Sequence, residues 1–157
     1  MPDDLERVYT TAMRILNHRF NSEGELRRKL RAKQFADDVI DPTIQRLRAE
    51  GWLDDERFTA AYVRTRTARR VGPLRIRREL GAAGVDRDVI QQAMEANKDG
   101  DAERATLEEL CAKRLRLLAR RHGEEYAASS EGRQKIAAYL VRQGYELGEV
   151  LAVIRKR

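Results

Sequence analysis

Little in this chain can carry redox, metal or covalent chemistry. Cys111 is the single cysteine among 157 residues, so an internal disulfide is impossible and a reducing, cytoplasmic setting suits the chain. Apolar neighbours mark that thiol as packing. The two histidines, His18 and His122, stand far apart, whereas a zinc site draws three or four ligands together. Glycine-rich loops ahead of a Lys-Ser or Lys-Thr pair, the mark of a phosphate cradle, are missing. The expectation is a protein that is not an enzyme and holds neither cofactor nor metal. No apolar run approaches the roughly 20 residues of a membrane span, and Met1 to Glu6 is acidic and polar, unlike a signal peptide.

Proline is also scarce, at three residues, and runs of β-branched residues are sparse. Both favour helix over sheet. Aromatics are few as well. Phe35, Phe58 and Tyr145 fall at positions that suit packing, and Trp52, beside Leu53, reads as buried packing in preference to a stacking platform.

What the chain does have is charge and repetition. Lys and Arg outnumber Asp and Glu by 32 to 26, for a net charge of +6, and 41% of residues are still apolar. Such a chain folds, and its excess charge suits an anionic partner such as nucleic acid or an acidic protein surface. Leu26, Leu30, Phe35, Ile40 and Ile44 recur fifty residues on as Ile76, Leu80, Val85, Ile90 and Met94. They recur again, sixty residues further, as Ile136, Leu140, Tyr145, Val150 and Ile154. A fixed apolar spacing repeated along a chain signals stacked units that share a core and present long surfaces.

Each unit reads as three helices. In the first, Leu5, Val8, Ala12, Ile15 and Leu16 form a helical stripe ending near Arg19. Ser22 to Glu25 has the form of a capping box, and the next helix runs to about Lys33. Phe35 and Ile40 are spaced as a hydrophobic staple, while Pro42 leaves two options: a helix capped by Asp41, or an irregular first turn. In the second, Asp54 caps a helix whose first turn carries Asp55 and Glu56, and capping accounts for these acids better than a cation site does. Gly72-Pro73 opens the following helix, and Asp86 caps the last. Asn97 to Asp101 is a polar linker. The third unit expects a long helix over roughly Asp101 to Arg121, a loop from Gly123 to Ser130, and helices near Arg133–Gln143 and Leu147–Lys156. The resulting fold class is all-α: three tandem three-helix repeats, over residues 1–50, 51–97 and 101–157, in an elongated, curved array.

The candidate binding residues are basic. Arg64, Arg66, Arg69, Arg70, Arg75, Arg77 and Arg78 lie in one stretch without an acid, around the Gly72-Pro73 junction. The first repeat carries Arg27, Arg28 and Lys29. Arg27 and Arg28 match Arg77 and Arg78 at the fifty-residue offset, an exposed pair where the third repeat has Ala137 and Ala138. The third repeat's charge sits on its long helix, at Lys113, Arg114, Arg116, Arg120 and Arg121. Arginine's planar fork grips phosphate or carboxylate in two places. The plain alternative is a set of solvated helix faces.

Several of these motifs occur in a familiar order. Ser22-Glu23-Gly24-Glu25-Leu26-Arg27-Arg28-Lys29-Leu30, Gly51-Trp52-Leu53-Asp54-Asp55-Glu56-Arg57-Phe58, Tyr62-Val63-Arg64 and Gly72-Pro73-Leu74-Arg75-Ile76-Arg77-Arg78-Glu79-Leu80 resemble the RecX family of bacterial regulators of the RecA recombinase. Two departures fall on turns: Gln34 stands where the family usually has glycine, and Arg70-Val71 where a glycine-aromatic pair is common. The resemblance implies a modular all-helical protein that binds the RecA nucleoprotein filament, lodges in its groove, and suppresses ATP hydrolysis and strand exchange. It further implies DNA, single- or double-stranded, as a second partner for some members. The chain itself is expected to act as a monomer. A sequence-independent DNA-binding protein is the rival reading.

Overall fold

The computed structural model describes residues 2–156; Met1 and Arg157, the ends of the first and third expected repeats, lie outside the described residues. Among the described residues there are ten helices and no strand: α1 Pro2–His18, α2 Glu23–Ala32, α3 Asp37–Ala49, α4 Asp55–Ala68, α5 Pro73–Ala82, α6 Arg87–Asn97, α7 Gly100–His122, α8 Glu124–Ala128, α9 Ser130–Arg142 and α10 Leu147–Arg155. The repeating apolar set is inward-facing in all three copies. Leu26, Leu30, Ile40 and Ile44 are essentially inaccessible, as are Ile76 and Leu80, and Leu140 and Val150. Phe35 and Met94 are half-buried members.

Local chemistry sets the helix ends. Ser22 and Glu25 form the reciprocal capping box at the start of α2. Asp54 accepts the Arg57 amide at 3.2 Å, and Asp86 accepts that of Asp88 at 2.8 Å, so both cap their helices. Where each repeat's second helix ends, the chain closes the same turn. The Phe35 amide reaches the Leu30 carbonyl, Val85 reaches Leu80, and Tyr145 reaches Leu140. These six-to-one bonds need a left-handed residue just before them, and Gln34, Gly84 and Gly144 supply it with φ of 73°, 80° and 107°. Arg70, with φ of 65°, serves the same purpose after α4. The two departures from the family's glycines therefore sit at positive φ, where a Cβ is strained. Gln34→Gly is expected to stabilise the chain by about 0.5–1 kcal/mol, relief of that strain exceeding glycine's entropy cost. Urea unfolding followed by circular dichroism checks the sign.

Three sequence expectations change. Pro42 neither follows a cap at Asp41 nor sits in an irregular first turn. α3 begins at Asp37 and runs through it, because the inward stripe of Ile40, Ile44 and Leu47 favours an unbroken helix. Gly123 to Ser130 is not a plain loop: Gly123 ends α7, the acids Glu124 and Glu125 open α8, and Ser129 caps α9. Trp52 is 50% exposed. One inward position exists at that junction, and Leu53 fills it at 2% exposure.

By packing, the chain divides into two units, residues 1–63 with 79–95, and residues 64–78 with 96–157. In the first, α1, α2 and α3 enclose Val8, Ala12, Leu26, Leu30, Ile40, Ile44 and Leu47. In the second, α7, α9 and α10 enclose Leu107, Cys111, Ile136, Leu140, Tyr145 and Val150. Each unit also contains one joint between consecutive repeats, and the two joints are built alike. In the first unit the Ser22 hydroxyl donates to the Ala83 carbonyl at 2.6 Å, and Gly24 lies against the turn at Gly84. In the second, the Gly72 amide donates to the Gln143 carbonyl at 2.7 Å and the Leu74 amide to that of Gly144 at 2.9 Å. Positions 22 and 72 correspond, as do 83 and 143. The middle repeat is divided between the units because each of its two sides carries one of these joints.

Candidate partner-binding surface

The first basic cluster is largely committed to its own unit. Arg27 is half-buried and ion-paired with Asp41. Arg28 donates to the Ala82 carbonyl, and Lys29 to Asn21 at 2.6 Å. Burial, reinforced by Arg19, pushes the Lys29 ammonium below its ordinary range. The exposed pair read from the sequence is thus one exposed arginine, Arg28, beside a neutralised one. Nearby, Arg48 grips Glu23 with two bonds of 2.6 and 2.8 Å, and the Glu23 amide donates to Asp55 at 2.9 Å. Burial holds the Asp55 carboxyl above its usual range.

The arginine-rich stretch from Arg64 to Arg78 belongs to the second unit. Arg70 pairs with Glu109 at 2.9 Å, and its carbonyl accepts the Tyr145 hydroxyl at 3.2 Å. Burial pushes that phenol up to about 12. Arg66 and Arg77 are half-buried, whereas Arg64, Arg69 and Arg78 are exposed and meet no carboxylate among the described residues.

Arg75 connects this stretch to the third repeat. It donates to the Gln143 side chain at 3.3 Å, Gln143 bonds Tyr139, and Tyr139 lies under the Arg114 guanidinium, 3.4 Å from the ring centre. Burial alone would raise the Tyr139 phenol, but the Arg114 bond and charge, helped by Gln143, carry it below its ordinary value. The row Arg75, Gln143, Tyr139, Arg114 joins two clusters that are distant in sequence. It ends in a groove of about 730 Å³ between α7 and α9. Of the five cations expected on α7, Arg114, Arg120 and Arg121 line that groove, and Lys113 and Arg116 do not. Sequence reasoning missed the α9 side, Lys135, Tyr139 and Arg142. Their spacing of four and three residues places them on one helical face, a signal that emerges only when both helices are read together. Among the described residues no group of three or more His, Cys, Asp or Glu side chains could hold a metal ion, and no helix is long and apolar enough to cross a membrane.

Known proteins resemble this chain in sequence and in fold. The first three-helix domain of RecX matches residues 9–47, and its second three-helix domain matches residues 54–94. A regulatory protein RecX from Xanthomonas campestris pv. campestris (strain B100) is 38% identical over 135 residues, spanning 86% of this chain and 78% of that protein. The chain belongs to the RecX family. Another RecX, from Xanthomonas axonopodis pv. citri (strain 306), is 38% identical over 92% of this chain and 83% of its own length. RecX of Geobacillus kaustophilus (strain HTA426) is 45% identical, but the match covers 59% of this chain and 35% of that relative. The crystal structure of RecX from Lactobacillus salivarius superposes with a TM-score of 0.79 at 24% identity, over 99% of this chain and 97% of that one. The all-α fold of RecX is therefore the fold of this chain, whose relatives are named as regulatory proteins.

Proposed function

We propose that this protein is a non-enzymatic regulator that binds the RecA nucleoprotein filament and inhibits its ATP hydrolysis and strand exchange. It does so by blocking filament extension or promoting disassembly. The observation that carries the reading is family membership, with 38% identity to regulatory RecX proteins across most of the chain. The unpaired arginines of the second unit support it: a filament is a polyanionic, repetitive surface, and several modest contacts from linked repeats gain through effective concentration. The setting is cytoplasmic recombination and DNA repair under the SOS response, and the acting form is a monomer.

Adding the purified chain to RecA on single-stranded DNA is expected to lower ATP turnover. Unchanged turnover at stoichiometric amounts would refute inhibition. Replacing Arg64, Arg69 and Arg78 together by glutamate is expected to weaken filament binding roughly tenfold or more while leaving helicity intact. Native affinity in that variant removes these residues from the contact surface.

The same unpaired arginines favour one second reading, sequence-independent DNA binding. It requires tight, steeply salt-dependent binding to bare DNA without recombinase.

A further inference from the structure

The groove between α7 and α9 has a composition unlike the other basic faces of the chain. Arg114, Arg120, Arg121, Lys135 and Arg142 stand around it, and none pairs with a carboxylate among the described residues. Its floor is aliphatic, made by Leu117, Leu118, Ile136 and Ala138, with Leu117 42% exposed. On each helix the lining follows one stripe, residues 114, 117, 118 and 121 on α7 and residues 135, 138, 139 and 142 on α9. Ala138 makes the floor possible. It corresponds to Arg28 and Arg78 of the other repeats, and a long side chain at this point would fill the space.

Two classes of polyanion could meet such a rim, and the floor distinguishes them. Single-stranded nucleic acid gains from free aromatic faces on which bases stack. Here the Tyr139 face is covered by Arg114, and nearby Tyr126 is engaged by His122 at 4.9 Å and Lys135 at 5.5 Å. Phosphates alone gain nothing from exposed leucine. A short protein segment that carries both carboxylates and aliphatic side chains uses the rim and the floor at once, as amphipathic helices do in apolar grooves.

We infer that the α7–α9 groove is a docking site for an acidic amphipathic segment of a partner protein, aliphatic residues on the Leu117–Ala138 floor and carboxylates on the arginine rim. The inference needs neither the recombinase reading nor the arginines of α4 and α5.

The full chain is titrated into three fluorescein-labelled probes, read by anisotropy at moderate salt. One is a peptide of about three helical turns composed of glutamate with leucine on one face. The second has each leucine replaced by serine, and the third is an oligothymidylate. The leucine peptide is expected to bind roughly tenfold tighter than the serine peptide, a difference of about 1.4 kcal/mol. The decisive variant is Ala138→Arg, which restores the side chain of the other two repeats and should fold as they do, as circular dichroism checks. It adds positive charge, so attraction by charge alone predicts tighter binding; occupation of the floor predicts binding weaker by about tenfold. Arg142→Glu should weaken the leucine peptide as well, and Arg116→Glu, on the same helix as Arg114 but outside the groove, should leave it unchanged. Equal affinity for both peptides, binding unaffected or improved by Ala138→Arg, preference for oligothymidylate, or no binding of the leucine peptide would each overturn the inference.

Discussion

Replacing Gly72 by alanine is expected to unfold the second unit under conditions where the native chain remains folded. A methyl group there would lie 2.3 Å from the carbonyl carbon of Gly144, 2.5 Å from its oxygen and 2.6 Å from the Tyr145 amide nitrogen. All three are backbone atoms inside a closed turn, so no side-chain rotation relieves the clash. The start of α5 must move away. That movement breaks the Gly72 to Gln143 and Leu74 to Gly144 bonds, and loosens the Tyr145 hydroxyl from the Arg70 carbonyl. The loss is expected to be about 3–5 kcal/mol, the range for overpacking combined with stranded buried polar groups. Gly81, in the same helix, is the control. A methyl group there meets nothing within 4 Å, so Gly81→Ala should gain about 0.5–1 kcal/mol from helix propensity. Urea denaturation of both variants, followed by circular dichroism, separates a close-packed joint from a general intolerance of change in α5. A Gly72→Ala midpoint equal to the native one would show that the joint is loose.

That joint also marks the limit of what the residues disclose by themselves. The repeat was legible because burial on a helix imposes a spacing, and Leu26, Ile76 and Ile136 obey it whatever their neighbours do. Caps were legible because Ser22, Asp54 and Asp86 act on amides two or three residues away. A joint between repeats imposes no such local rule. Ser22 makes its bond with a hydroxyl and Gly72 makes the corresponding one with a backbone amide, so two unlike residues perform one task. Gln34 shows the converse. It keeps the left-handed turn of Gly84 and Gly144, yet it carries a side chain, because its turn is exposed where theirs are approached by Gly24 and Gly72. The groove failed to show for a related reason. The α7 cations were visible as a run, but Lys113 and Arg116 divide from Arg114, Arg120 and Arg121 only once α9 is laid beside them. Trp52, expected to pack inward beside Leu53, is the exposed one of the pair because two apolar residues compete at that junction and Leu53 takes the inward place.

The third repeat follows the second at an offset of sixty residues, ten more than the offset before it, and α8 falls in that added length; Gly132 tests what α8 does there. Position 132 corresponds to 22 and 72, the positions that receive the turn of the following repeat. A methyl group on Gly132 would instead meet the carbonyl oxygens of Tyr126 and Ala127 at 2.4 and 2.8 Å, because α8 lies where the next repeat's turn lies in the other two joints. Ala127 is buried against this face at 2% exposure. A repeat's face that no neighbour covers leaves apolar surface open, and here α8 covers it. Gly132→Ala is therefore expected to displace α8 and to cost about 2–4 kcal/mol in the second unit. Hydrogen exchange should show protection lost over residues 124–130 and unchanged within α1, α2 and α3, which belong to the other unit. Native protection over residues 124–130 in the variant would mean that α8 does not rest on the face that Gly132 opens.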